Sequence, residues 1–203
     1  MKYKNIKRLF DFLFAATVFL LLSPVFIVIT LCLLFTNNGK PFFFQLRPGK
    51  NERVFKIIKF KTMKDLKPGD EKNIHSLNRV TRIGAFIRKY SVDEIPQLIN
   101  VIKGDMSIVG PRPLLVHYLP LYNHFQKQRH NVAPGITGWA QVMGRNTLTW
   151  EKKFELDVWY VKNQSFLLDL KIILLTIKKI IVPSGINNNE GTNMPEFTGS
   201  KPT

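Results

Sequence analysis

The sequence has little that could hold a fold together from outside. It contains one cysteine, Cys32, so no disulfide can close within the chain. Its four histidines, His75, His117, His124 and His130, have no spacing with cysteine that suits zinc. It has no internal repeat. Acidic residues are scarce: 14 Asp and Glu stand against 30 Lys and Arg, a formal net charge of +16. That imbalance points to an anionic partner: nucleic acid, a phosphorylated small molecule or anionic lipid. With 203 residues, 45% of them hydrophobic, the chain is sized for one domain plus an appendage.

Charge is also missing from residues 12–35, FLFAATVFLLLSPVFIVITLCLLF. As a straight helix this run would be ~36 Å long, enough for a hydrocarbon core of ~30 Å. It is too long for a secretory signal, and no small-residue cleavage site follows it. Pro24 supplies no N–H and crowds the carbonyl of Leu20, while Ser23 can bond a freed carbonyl. Two readings stand: a kinked span, or a helix–break–helix that enters and leaves on one face. Both flanks are basic, with Lys2, Lys4, Lys7 and Arg8 before and Lys40, Arg47, Lys50, Arg53 and Lys56 after. The positive-inside rule is met at both ends only by the re-entrant form.

After residue 36 the pattern is that of a water-facing domain. VFKIIKFKTM (54–63) reads as a short strand with Lys59 and Lys61 on one side. A solvated edge blunted by lysine is the simpler reading; a phosphate-facing pair is the functional one. Residues 64–79 read as loop. TRIGAFIRKY (81–90) and IPQLINVIKG (95–104) read as helices, the second stopped by Gly104, with Arg88 off the apolar stripe of the first. SIVGPRP (107–113) reads as a stiff turn carrying Arg112, 120–130 as helix, and APGITGWAQVMGRN (133–146) as loop and turn. Helices are expected over 150–163 and 165–183. The second fits either the core or the membrane interface. Residues 187–203 read as a loose tail.

SVDEIPQ (91–97) places two acids side by side in a basic chain. Ser91 and Glu94 match a capping box, although Pro96 then falls where its missing N–H deletes a helix bond. With Asp93 as cap, Pro96 is harmless and Glu94 is unexplained. The neighbours favour chemistry. Arginine forks suit phosphate, and Arg88, Arg112, Lys59, Lys61 and Arg145 supply positive charge. Among them, one carboxylate could hold Mg2+ and the other attack phosphorus.

Taken together, the basic start, Ser23-Pro24, KFKTM, SVDEIPQLINVIKGDMSIVGPRP and PGITGWAQVMGRN closely resemble the bacterial sugar transferase family. The likeness is to its small monotopic phosphoglycosyl transferases, PglC-type, and runs from about residue 5 to 185. It implies an α/β fold, mostly helical with a small sheet. The division would be a re-entrant membrane helix over 1–36, broken at Ser23 and Pro24, a catalytic domain over 37–186 with interfacial helices, and a tail over 187–203. The place would be the cytoplasmic face of the bacterial inner membrane. The reaction would move a sugar-1-phosphate from a UDP-sugar to polyprenyl (undecaprenyl) phosphate, releasing UMP by a ping-pong route. Asp93 matches the nucleophile and Glu94 the Mg2+ ligand. Arg88 and Arg112 match positions that hold phosphates or order the site, Arg145 a nucleotide contact, and Lys59 a weaker one. Membrane lipid is an expected partner, nucleic acid is not, and a second copy of the chain is a candidate. The short length and the tail EGTNMPEFTG favour an N-acetylated sugar over a hexose. Ala133 and Met143 depart from the pattern, where relatives carry Arg and Asn. A non-catalytic, anion-binding membrane protein is the rival class, and no nucleic-acid fold signature supports it.

Overall fold

The computed structural model describes residues 2–65, 79–144, 148–181 and 195–199. Most of the expected 64–79 loop, and Arg145, lie outside the described residues. Helices dominate, with two small sheets. Helix α1 (Lys2–Thr36) is followed by strands β1 (Phe42–Pro48) and β2 (Val54–Phe60), then helices α2 (Arg82–Lys89) and α3 (Gln97–Lys103). After these come β3 (Ser107–Val109), α4 (His124–Lys127), β4 (Gly135–Thr137), α5 (Trp139–Met143), α6 (Trp150–Asn163) and α7 (Phe166–Ile181). β1 and β2 form an antiparallel hairpin that pairs Phe43 with Lys59, and β3 pairs with β4 in parallel.

α1 is long and apolar enough to cross a membrane, and almost none of it is buried inside the protein. Its helical path continues through Pro24 instead of being interrupted there. Ser23 accounts for this in part: its Oγ donates to the Leu20 carbonyl, whose helical donor the proline removes, at 2.7 Å. Both ends of α1 meet the same domain. Near the start, the Lys7 ammonium pairs with Asp169, and Asp11 accepts from Ser107 Oγ at 2.8 Å and the Ile108 amide at 3.1 Å. Near the other end, Leu33 is buried with Phe60 and Ile87, Phe26 stacks on Phe42, and Asn37 donates to the Lys61 carbonyl.

The core lies where α1, α3, the β3–β4 pair, α6 and α7 meet, around Val101, Met106, Val109, Tyr160 and Ile172. α2 is capped by Thr81, whose side chain accepts from the Gly84 amide. A side chain at Gly84 would come within 2.2 Å of the Thr62 carbonyl, so glycine is what lets α2 lie against the end of β2. α3 ends at Gly104, in the left-handed region at φ 96°. Arg8 reaches across from α1 to cap it, donating to the Val101 and Ile102 carbonyls at 2.6 and 2.7 Å.

Four expectations about elements change. The 120–130 stretch, read as one helix, holds only the four-residue α4 between two 3-10 segments. SIVGPRP begins with a strand, β3. The 133–146 stretch, read as loop, contains β4 and α5. Within the 187–203 stretch, residues 195–199 lie against the domain. Phe197 is buried among Tyr118, Tyr122 and Phe154, and the Trp150 indole donates to the Pro195 carbonyl at 2.9 Å. Phe197 meets four rings, an apolar contact large enough to seat residues 195–199 on the domain.

Candidate active site

The acids sit on a tight turn between two helices. α2 ends at Lys89, and Ser91 turns the chain with φ 55°, ψ 22°. A single 3-10 turn, Val92–Glu94, then carries Asp93 and Glu94. The capping-box reading of Ser91 is overturned: its side chain makes no cap hydrogen bond. The left-handed backbone is why, since an N-cap needs extended φ/ψ to aim its oxygen at the helix amides. A left-handed serine is uncommon and stores strain beside the acids. Pro96 stands immediately before α3, where its missing N–H costs no helix bond.

Lys59 faces the acids. Its Nζ donates to Glu94 Oε1 at 2.7 Å and lies 3.6 Å from Asp93 Oδ2. The solvated-edge reading of Lys59 is therefore corrected, while Lys61 follows the strand's end and pairs with Asp65 at 2.7 Å. Arg112, on its Pro-Arg-Pro turn, donates to the same Glu94 Oε1 at 2.8 Å, with its side chain 46% exposed. Arg88 donates to Thr62 Oγ1 at 2.8 Å, and its charge still acts on Asp93. Lys59, Arg88, Arg112, Asp93 and Glu94 thus come together from β2, α2, the 3-10 turn and the loop after β3.

The two acids are held in opposite states of affinity for a proton. Burial pushes Glu94 upward, yet the Arg112 and Lys59 charges and hydrogen bonds outweigh it and hold the carboxyl at about 2. Asp93 is raised: burial is the main cause, the Glu94 charge adds to it, and Lys59 opposes it. Glu94 is a fixed anion; Asp93 is the more basic oxygen of the pair.

A metal would find oxygen donors but few of them. Among the described residues both side-chain bonds to Glu94 fall on Oε1, which leaves Oε2 as the acceptor for a cation. Among the described residues no group of three or more acids, histidines or cysteines converges. A hard ion bound by one or two carboxylates and otherwise by substrate phosphates and water fits that set.

Glu94 and Arg112 also line a cavity of about 670 Å3, whose lining excludes Asp93 and Lys59. Sequence reading missed several residues at this end. Arg129 donates through Nε and Nη2 to Asp157 Oδ2 and through Nη2 to the Arg112 carbonyl at 2.6 Å, so the buried pair pins the Pro-Arg-Pro turn. Lys153 and Asp157 share the lining. Asn100, fully buried on α3, accepts from the Ile58 amide and donates to the Lys56 carbonyl, which fixes β2, and Lys59 with it, against the turn of acids. Asp157 had a legible signal, an acid at the buried positions of the 150–163 helix pattern; Arg129 and Asn100 had none. The departures Ala133 and Met143 are half-buried and exposed, respectively.

The profile of the bacterial sugar transferase family matches residues 2–183. The protein named uncharacterized sugar transferase EpsL of Bacillus subtilis (strain 168) is 52% identical over 196 residues, 96% of each chain. The exopolysaccharide production protein ExoY of Rhizobium meliloti (strain 1021) is 36% identical over 88% of this chain and 87% of its own. The UDP-glucose:undecaprenyl-phosphate glucose-1-phosphate transferase of Escherichia coli (strain K12) is 40% identical over 86% of this chain, which spans only 40% of that longer protein. With a match over nearly its whole length, and the acids and arginines of the motif gathered at one site, the chain belongs to the bacterial sugar transferase family.

Proposed function

We propose that the protein transfers a sugar-1-phosphate from a UDP-sugar to polyprenyl phosphate at the membrane surface, through an aspartyl phosphosugar. The observation that carries this is the Glu94 carboxylate bonded by both Lys59 and Arg112, with Asp93 beside it, at the edge of a cavity that α1 helps to line. In the first step an Asp93 oxygen attacks the sugar-bearing phosphorus. The bond from that phosphorus to the oxygen of the UMP phosphate breaks, and UMP leaves. In the second step an oxygen of the lipid phosphate attacks the same phosphorus. The aspartyl P–O bond breaks, and the carboxylate returns. Lys59, Arg88 and Arg112 offset the charge that builds on the phosphoryl oxygens. Mg2+ held at Glu94 would add to that neutralisation when bound.

The tail sequence EGTNMPEFTG is what favours the N-acetylated sugar. A hexose is the second reading, favoured because the relatives named for a sugar handle glucose or galactose. The re-entrant topology is supported by α1 touching one domain at both ends, since a straight span would carry Lys7 and Asn37 to opposite faces. With basic residues on both flanks of the apolar run, that topology would keep the domain on the cytoplasmic side.

Purified protein with Mg2+ and a panel of UDP-sugars should release about one UMP per enzyme without acceptor, and turn over when polyprenyl phosphate is added. Asp93→Asn should lower UMP release at least about a thousandfold. Undiminished release by that variant would remove Asp93 as nucleophile, and no UMP from any sugar would remove the activity itself.

A further inference from the structure

Two cations meet on one oxygen. Lys59 and Arg112 both donate to Glu94 Oε1, at 2.7 and 2.8 Å. Lys59 is placed by β2. Arg112 stands between two prolines, and its side chain is half-exposed. Among the described residues Glu94 is the one group its guanidinium bonds. Where that guanidinium lies therefore follows from where its backbone is held.

Proline has no N–H, so a Pro-Arg-Pro turn is tied mainly through its carbonyls. All three carbonyls are taken. Pro111 accepts from the Gly135 amide at 3.1 Å, and Arg112 from Arg129 Nη2 at 2.6 Å. Pro113 accepts from Arg47 Nη1 at 3.3 Å. The first two ties seat the turn on β4 and on the 3-10 segment Gln128–Asn131. The third runs to the β1–β2 hairpin. There Phe43 stands opposite Lys59 and Arg47 opposite Phe55. Arg47 and Lys59 therefore share one face of the hairpin, about 13 Å apart along it. A circuit closes: Glu94 to Lys59, along the hairpin to Arg47, across to Pro113, and back through Arg112 to the same Glu94 oxygen. Arg47 Nη2 donates to Gln45 Oε1, on the same face, which fixes the plane of its fork. The hairpin turn beyond it is held in step, since the Gly49 carbonyl lies 3.2 Å from Nδ1 of His130, the neighbour of Arg129.

We propose that Arg47 is a positioning residue of the reaction: its tie to Pro113 sets Arg112 against Lys59, so that both cations meet the phosphoryl group at the acids. The inference rests on the phosphoglycosyl transfer proposed above and adds a residue that acts through Arg112. In the sequence Arg47 is one basic residue of the flank after the apolar run. In the fold it is a cation spent on a backbone carbonyl. Burial, with the Arg112 charge beside it, lowers its pKa to about 10, so it still donates as a cation at neutral pH. Packing alone would be served by an apolar side chain without that cost. The ties from β4 and Arg129 hold the turn against the core, and the Arg47 tie alone among the three refers it to the strand pair that carries Lys59. Two like charges brought to one carboxylate oxygen repel each other, so their spacing has to be imposed by the backbone behind them.

The test is a double-mutant cycle read on single-turnover UMP release by the full chain in nanodiscs, with the UDP-sugar that the wild type accepts. Arg47→Met removes the fork. It should lower the maximal rate about a hundredfold, the scale of a phosphate-binding group displaced by ~1 Å, and move the half-saturating UDP-sugar concentration less than about threefold. Arg47→Lys keeps the charge and one carbonyl tie and should lose only about tenfold. In an Arg112→Ala background, slow enough to be followed over hours, adding Arg47→Met should cost no more than about twofold, because nothing is left for it to position. An equal loss in both backgrounds would show that Arg47 serves the fold at large, and overturns the inference. Undiminished release by both Arg47 variants does the same. Thermal unfolding is read on each variant, and Arg47→Lys carries the cycle if Arg47→Met does not fold. Loss of the folded domain in both makes the residue structural, and the inference falls. Absence of UMP release from the wild type would instead overturn the underlying reaction.

Discussion

Among the described residues His130 is a buried base with one hydrogen-bond contact. Its Nδ1 lies 3.2 Å from the Gly49 carbonyl, and its Nε2 is buried without a partner among those residues. Burial, helped by the Arg129 charge, lowers its pKa from 6.5 to about 4. The folded state thus holds this imidazole neutral while the unfolded chain takes up a proton below 6.5. Its contribution to stability is full above that pH and is lost as pH falls toward the folded value. Between pH 7 and pH 5 the wild type should lose on the order of 2 kcal/mol more than His130→Asn, read from denaturant unfolding in detergent. An equal loss in both would show that another group carries the acid sensitivity. At the same scale the acids show what local pattern leaves out. Ser91 and Glu94 spell a capping box, and a box needs only four adjacent residues. What makes Glu94 a fixed anion comes from Lys59, 35 positions earlier, and Arg112, 18 positions later. No local rule contains those pairings.

α3 is the element that aims the site. Its N-terminal side carries the turn of acids, Arg8 caps its C-terminal end, and Asn100 in its middle holds β2. Membrane helix, lysine strand and acids are thereby referred to one short helix. Asn100→Ala removes two bonds to the strand backbone and leaves a buried amide and carbonyl unmet. It should cost about 2 kcal/mol of stability and lower transfer more than binding of UDP-sugar, measured by unfolding and by a KM-against-kcat comparison. A variant as stable and as active as the wild type would show that β2 needs no such tie. The helices were legible because their apolar residues recur at helical spacing, as at Phe154, Val158 and Val161, and because Gly104 marks a stop. β3, β4 and α5 were not. They are three, three and five residues long. Elements that short are held by partners across the core, so they show no period of their own. Phe197 escaped for the same reason, since its pocket is assembled from four separated rings.

For the whole molecule the question is which side of the bilayer each flank occupies. Lys4→Cys and Lys40→Cys, each in a Cys32→Ser background, should react equally with an impermeant thiol reagent from the cytoplasmic side of inverted vesicles. Opposite accessibility would make α1 a span and would require the domain contacts at one of its ends to break. The apolar run, the basic flanks, the Ser-Pro pair and the paired acids were all present in the sequence, because membrane affinity, backbone donors and charge are properties of the residues themselves. Their arrangement was not. Whether Lys59 blunts an edge or neutralises an acid, and whether α1 and α7 leave a cavity between them, depend on contacts between distant segments. Only packing around the shared core, with Lys7 on Asp169 and Asp11 on β3, decides those.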